Sequence, residues 1–362
     1  MRIGTVKEIK TLEFRVGLTP EGVRELTVQG HNVVVESGAG AGIGLADSAY
    51  EEAGARVVAS AAAVFENSEL IVKVKEPQAS EIAMLRPDHT LFTYLDLAAD
   101  PQQTRGLMKS GATCIAYETI TDARGGLPLL APMSQVAGRM ATLVGAQFLL
   151  KPSGGRGLLM SGVPGVAPAK VGILGAGVSG MHAAEIALGM RADVTMFDIS
   201  AERLAAVDAA FGGAVTSIHS SQKSIQDFLP QADLMIGCVL VAGAAAPKLI
   251  RRGDLKRMKP GAVLVDVAID QGGCFETSKP TTHDKPTFTV DNIIHYCVAN
   301  MPGAAPLTST YALTAVTLPF VQRMAAHGVE AALAADPHLA AGLNVKAGRI
   351  THPAVQAIME AA

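Results

Sequence analysis

The chain has no tryptophan, only four cysteines in 362 residues, and 4% aromatic residues. Cys114, Cys238, Cys274 and Cys297 are scattered without C-x-x-C spacing, which fits the free thiols of a cytosolic enzyme rather than a disulfide framework. The histidines at 31, 182, 219, 283, 295, 327 and 352 lack ligand spacing, so no metal site is expected. No apolar run approaches the roughly 18 residues of a membrane span, and the opening MRIGTVKEIK has no apolar signal core. Charged residues are 17% of the chain and the net charge is −3, which argues against nucleic acid or an anionic membrane as partner. What is abundant is apolar and small: 49% hydrophobic residues and 37 glycines. These features suit a soluble, cytoplasmic α/β protein, long enough for two domains.

The stretch Val171–Asp198, VGILGAGVSGMHAAEIALGMRADVTMFD, organises the rest. An apolar strand runs into Gly175, Gly177 and Gly180 in G-x-G-x-x-G spacing, a helix-forming run follows, and a second apolar run ends at Asp198, 23 residues after Gly175. That is the dinucleotide-binding βαβ pattern. Gly175 permits a tight turn, Gly177 admits the pyrophosphate, and Gly180 lets the helix lie close on the strand. The helix N-terminus offers N–H groups to phosphate. A carboxylate at 198 accepts from ribose hydroxyls and repels a 2′-phosphate, so the expected cofactor is NAD.

Around this unit, apolar runs alternate with helical patterns. Strands are expected at Met1–Thr5, His31–Glu36, Glu69–Val74, Thr90–Leu95 and Cys114–Tyr117. Beyond the nucleotide unit they are expected at Asp233–Cys238, Ala262–Val267, Thr287–Val290 and Tyr296–Ala299. Thr19–Pro20 is a sound helix start. From Thr308 the pattern is helix-rich to the end. The fold class expected is α/β with two doubly wound domains: a Rossmann NAD-binding domain, 129–306, inserted into a discontinuous substrate domain, 1–128 with 307–362. The glycine-rich loop 38–44 superficially mimics a second nucleotide site, but no acid-tipped strand follows at the right distance. A structural turn is the better reading.

In doubly wound sheets ligands lie past the carboxyl ends of the strands. Arg15, in EFRVGLTP, and Lys75 are natural partners for a small carboxylate, with surface salt bridging as the plain alternative. Asp270 either caps a Gly-Gly turn or serves as general acid/base or ammonium holder, with Asp266 in the same strand as the structural competitor. Asp96 closes a buried-looking strand and needs a partner or a pocket.

These residues sit in longer stretches that carry a resemblance. EFRVGLTP at 13–20, VKVKEP at 72–77, AYETI at 116–120, LAPMSQVAGR at 130–139 and GGRGLLMSGVPGV at 154–166 resemble the alanine dehydrogenase family. So do GAGVSG at 175–180, PGAVLVDVAIDQGGCFE at 260–276 and YCVANMPGAAPLTSTYAL at 296–313. That family shares its architecture with the nucleotide-binding part of the proton-pumping transhydrogenases. The resemblance implies reversible, NAD-dependent oxidative deamination of L-alanine to pyruvate and ammonium, and a homohexamer. It implies that Arg15 and Lys75 hold the substrate carboxylate and carbonyl, and that Asp270 assists the amine chemistry. It further implies that Ser134, Asp198, Arg203, Ser220, Val239, Leu240, Asn300 and Met301 contact NAD.

One departure stands out. The family carries a histidine, in the pattern LFTxLHLA, where this chain has Asp96; that histidine is taken as the general acid/base of carbinolamine formation and collapse. An unperturbed imidazole titrates near pH 6.5 and an Asp near 3.9. Beside Arg15 and Lys75 the carboxylate is expected to stay firmly ionised, accepting protons but seldom donating them. An introduced substitution, a variant for another substrate and a weakened catalyst that still binds NAD are all compatible with it. The alternatives in function are a related amino-acid dehydrogenase with a different substrate, or an NAD-binding transhydrogenase-like component.

Overall fold

A computed structural model describes residues 1–97, 100–239 and 246–361 of the chain. The strands of the first unit are short, with apolar centres and polar residues mostly at their ends: β1 (Arg2–Thr5), β2 (Asn32–Glu36), β3 (Arg56–Val58), β4 (Leu70–Val72), β5 (Thr90–Thr93) and β6 (Thr113–Ala116). They pair in parallel in the order β3-β2-β1-β4-β5-β6. Helices cover both faces of such a sheet, so central strands lack polar–apolar alternation; Leu70, Ile71 and Val72 of β4 are all fully buried.

The second unit contains β7 (Lys170–Leu174), β8 (Asp193–Asp198), β9 (Val215–His219), β10 (Leu234–Gly237), β11 (Val263–Asp266), β12 (Thr287–Val290) and β13 (Ile293–Tyr296). The sheet order is β12-β13-β11-β10-β7-β8-β9, parallel except for β12 at the edge. Along β11 the side chains divide between two cores: Val263 and Val265 pack with Val171 and Ile173, whereas Leu264 packs with Met235 and Leu174. The helix Val178–Gly189 places Ala183, Ala184 and Ala187 in the first of these cores. Late in the chain, β14 (Leu343–Lys346) and β15 (Arg349–Ile350) return to the first sheet, extending it antiparallel beyond β6.

The two compact units are Met1–Met133 with Ala305–Ala362, and Ser134–Ala304. Each has six parallel strands in the Rossmann order, with the direction of winding reversing between β1 and β4 in one and between β7 and β10 in the other. An α/β architecture with doubly wound sheets is what the alternation of apolar runs and helices implies. Thr19 caps the helix Pro20–Val28, its hydroxyl accepting from the Gly22 N–H.

Three expectations fail in detail. The last strand lies at Ile293–Tyr296 rather than Tyr296–Ala299, because Asp291 and Asn292 both adopt positive φ (50° and 64°) and close a two-residue hairpin with β12. The helix-rich reading of the C-terminal stretch misses β14 and β15. The short strands β3 and β9 also escape the pattern, since both carry exposed residues and the β9 sequence, VTSIH, is only weakly apolar.

Candidate active site

Winding reverses between β1 and β4, and so a crevice opens at their carboxyl ends. The loop bearing Arg15 lies directly on it: a Cβ on Gly17 would sit 2.6 Å from the Val72 carbonyl oxygen, so only glycine allows the approach. Arg15 is buried. Its Nε and Nη2 donate to the two carboxylate oxygens of Glu13 at 2.7 and 2.6 Å, and Nη1 points to the Met133 Sδ at 3.1 Å. Burial alone would lower the Arg15 pKa, but the hydrogen bonds and charge of Glu13 outweigh it and the net shift is upward. The guanidinium is thus permanently charged and its plane is fixed by a fork-to-fork pair. The glycine loop 38–44 packs onto the same segment, with Gly42 where any Cβ would meet Phe14 at 2.7 Å.

Lys75 follows β4. Its N–H donates to Glu8 Oε1 at 3.2 Å, its carbonyl accepts from the Thr93 hydroxyl at 2.9 Å, and its ammonium stands 3.1 Å from Glu76 Oε2. Lys10 also bonds to Glu76. Burial raises the Glu76 pKa, but Lys75 and Lys10 pull it below the usual carboxylate value.

Asp96 follows β5, the strand next to β4, with φ 50°. Its N–H donates to Glu118 Oε1 at 2.7 Å, and the Leu95 N–H reaches both Glu118 oxygens. Its carboxyl departs from the firmly ionised state expected of it. The residue is exposed by area, yet desolvation of the carboxyl outweighs the pull of Lys75, Glu76 pushes the same way, and the pKa is raised rather than lowered. The Arg15 guanidinium is engaged by Glu13, and the charges that act on the Asp96 carboxyl are those of Lys75, Glu76 and Lys10.

In the second unit the three glycines have three separate reasons. Gly175 takes φ 101° and lies against the Cys238 carbonyl; a Cβ on Gly180 would fall 1.9 Å from the Gly175 oxygen; among the described residues, a Cβ on Gly177 would meet no atom beyond its chain neighbours within 4 Å. The first two are packing requirements. The third leaves open the space at the N-terminus of Val178–Gly189, where a phosphate is favoured by unpaired N–H groups and the helix dipole. The Asp198 carboxylate ends β8 beside this turn, accepting from the Ala176 N–H (2.7 Å) and the Ser200 N–H (2.8 Å). Carboxylate oxygens have about four lone-pair sites, so capacity for ribose hydroxyls remains. Arg203 Nη1 lies 3.7 Å from Asp198 Oδ2, and the Ser220 N–H bonds to the Asp198 carbonyl. Val239 touches the space beside Gly175; Leu240 lies outside the described residues. Ser134 is half-buried in the helix Ala131–Leu149. Asn300 adopts φ 64° and leads into the 3-10 turn Met301–Ala304, in which Met301 is buried.

Asp266 and Asp270 separate by role. Asp266 is fully buried and accepts from the Cys274 N–H (2.9 Å), the Phe275 N–H (3.4 Å) and the Ser278 hydroxyl, closing the loop from its own residue to 278. Asp270 stands exposed within that loop, in the turn Val267–Gln271. Gly273 is required there, since a Cβ would lie 2.4 Å from Asp266 Oδ2. Among the described residues no cluster of His, Cys, Asp and Glu could hold a metal ion.

Sequence reasoning passes over Glu8, Glu13, Lys73, Glu118 and Met133. Lys73 carries the clearest signal: a lysine inside the apolar run LIVKV must find a partner if buried. The partners, Glu8 and Glu81, are 65 and 8 residues away.

A doubly wound unit with a dinucleotide turn, and a second with fixed cations at its own crevice, define an oxidoreductase that works with a pyridine nucleotide. The chain belongs to the alanine dehydrogenase/PNT family. The descriptions "Alanine dehydrogenase/PNT, N-terminal domain" and "Alanine dehydrogenase/PNT, C-terminal domain" match residues 4–137 and 141–353. An alanine dehydrogenase of Halomonas elongata is 58% identical, over 98% of this chain and 96% of its own. One from Bacillus subtilis is 51% identical over 98% and 94%. A solved L-alanine dehydrogenase, 50% identical, superposes with a TM-score of 0.96 over 100% of this chain and 99% of its own. A solved transhydrogenase from Sinorhizobium meliloti is 27% identical, with a TM-score of 0.83 over 98% and 100%.

Proposed function

We propose that this chain catalyses the reversible reaction L-alanine + NAD⁺ + water ⇌ pyruvate + ammonium + NADH + H⁺. The observation that carries the reading is the pairing of an open phosphate cradle at Gly177, flanked by Asp198, with identity of 50–58% to alanine dehydrogenases over nearly the whole chain. The 27% identity to a transhydrogenase leaves that alternative unfavoured. In this reading the first unit receives the amino or oxo acid and the second receives the dinucleotide.

The dinucleotide, when bound, would supply the hydride acceptor for the Cα of alanine and, reduced, the hydride donor for the reverse direction. Asp198 takes the adenosine ribose hydroxyls. Gly177 admits the pyrophosphate to the helix N-terminus, in a turn that Gly175 and Gly180 shape by packing, and Ser134, Arg203, Ser220, Val239, Leu240, Asn300 and Met301 complete the cofactor site. Arg15, oriented by Glu13, and Lys75 bind the substrate carboxylate and carbonyl as fixed positive charges. Asp96 moves the proton of the carbinolamine oxygen as water adds and ammonia leaves. Asp270 serves the amine. The enzyme is assigned to the cytoplasm and to a homohexameric state; among the described residues no helix is long and apolar enough to cross a membrane.

NADH formation with L-alanine, followed by absorbance against a panel of amino acids and with NADP⁺ in place of NAD⁺, tests the reading. Lys75→Ala is expected to raise the KM for alanine and pyruvate at least tenfold, a loss of about 1.4 kcal/mol or more, while NADH still binds. An unchanged KM and kcat in that variant means the substrate site lies elsewhere.

A further inference from the structure

β4 ends at Val72, and at the switch point no neighbouring strand on the β1 side continues to receive the N–H groups that follow. A side chain takes that place. Glu8, just past β1, accepts the Val74 N–H at 2.7 Å and the Lys75 N–H at 3.2 Å, both on Oε1. Its other oxygen accepts from the ammonium of Lys73 at 3.0 Å. Lys73 is itself fully buried, gives a second hydrogen bond to Glu81 Oε1 at 2.6 Å, and has its carbonyl held by the Tyr117 hydroxyl at 2.9 Å. Two carboxylates and one ammonium with essentially no exposure are costly to assemble, and nothing in sheet packing alone calls for them. What the cluster does is hold one carboxylate rigidly across the crevice, against the backbone from which the Lys75 side chain starts.

We propose that Glu8 is a positioning residue for Lys75, with Lys73 as its anchor: the carboxylate substitutes for a missing strand and sets the point from which the Lys75 ammonium reaches the substrate. The proposal rests on the assignment of Lys75 to substrate binding made above. Glu81 belongs to the anchor only; its second oxygen accepts the Gln78 N–H and touches neither Val74 nor Lys75.

Kinetics of pyruvate amination at saturating NADH separate the roles. In Glu8→Gln the amide nitrogen cannot face the Lys73 ammonium, so the carbonyl must turn to it and release the Val74 and Lys75 N–H groups. The KM for pyruvate is expected to rise about tenfold or more, with kcat per folded site within about threefold and the NADH Kd unchanged, as a displaced binding group rather than lost fold would give. Glu81→Gln removes the same charge from Lys73 and is expected to lower stability with KM within about twofold of the parent. Equal rises in KM for both variants, or a fall in kcat at constant KM for Glu8→Gln, would make the cluster a scaffold and overturn the proposal. A parental KM in Glu8→Gln while Lys75→Ala raises it overturns the proposal and leaves the substrate site standing. If Lys75→Ala is silent as well, both fall together. Should Glu8→Gln not accumulate folded, Glu8→Asp, one methylene too short to span Lys73 and both amides, is read by the same criteria.

Discussion

At position 96 the backbone sits in the left-handed region, which Asn, Asp and His enter more readily than other side chains with a Cβ. The turn, anchored through its N–H groups by Glu118, therefore accepts either an aspartate or the histidine that the family resemblance implies. Desolvation raises the Asp96 pKa, with Glu76 adding to it against Lys75 and Lys10. A carboxyl can donate only below its pKa. An upward shift widens the acid range in which it is a donor, and amination should decline as pH rises through that shifted value. Imidazole extends the donor form toward neutrality. Asp96→His is thus expected to raise the amination rate near neutral pH at least about tenfold, the low end for a general acid, with NADH affinity unchanged. A pH–rate profile of the two forms checks this. If the histidine variant gains nothing at any pH, position 96 is not the proton-transfer site.

The element that most clearly separates folding from function is the strand–turn–helix from β7 to Gly189. Gly180 and Gly177 belong to one motif but answer to different neighbours. Gly180→Ala places a methyl 1.9 Å from the Gly175 oxygen, forcing the helix off the strand. A loss of about 1–3 kcal/mol of stability is expected, as for other overpacked sites. Gly177 has φ −80°, a region open to alanine, and among the described residues its Cβ would meet no atom beyond its chain neighbours within 4 Å. Gly177→Ala should therefore unfold in urea like the parent, within about 0.5 kcal/mol. Its NADH affinity should nevertheless fall at least about tenfold, or roughly 1.4 kcal/mol, because the methyl would enter the space proposed for the phosphate. Urea titration and NADH fluorescence on the two variants test this directly; equal stability losses would place both glycines in packing alone.

For the whole molecule, a ligand that binds only the folded state stabilises it by mass action. NADH at about 100 times its Kd is expected to add roughly 2.7 kcal/mol to unfolding free energy, visible as a rise in Tm. NADPH should add far less, since its 2′-phosphate would meet the Asp198 carboxylate. Asp198→Ala should weaken NADH by about 1–3 kcal/mol and narrow the gap between the two cofactors. Part of that loss is structural, because the same carboxylate holds the Ala176 N–H of the glycine turn. A higher Tm with NADPH than with NADH would remove Asp198 from the ribose.

Local chemistry carries what the sequence determines by itself. The glycine turn, its helix and Asp198 occupy 28 contiguous residues, and the cap at Thr19 needs only its own helix, so spacing alone reveals them. Lys75 and Asp270 are visible because each is a charge just past an apolar run, and Arg15 because it is a cation in an early polar loop, EFRVGLTP. Tertiary structure decides what those charges face. Strand order brings Gly17 against Val72 and Glu8 against Lys75, across more than fifty residues of chain. It buries the local Arg15–Glu13 pair and sends Asp266 to the backbone at 274–275 while Asp270 stays exposed. It also reverses the expected shift at Asp96, since desolvation depends on which atoms exclude water around a carboxyl, and no spacing along the chain encodes that.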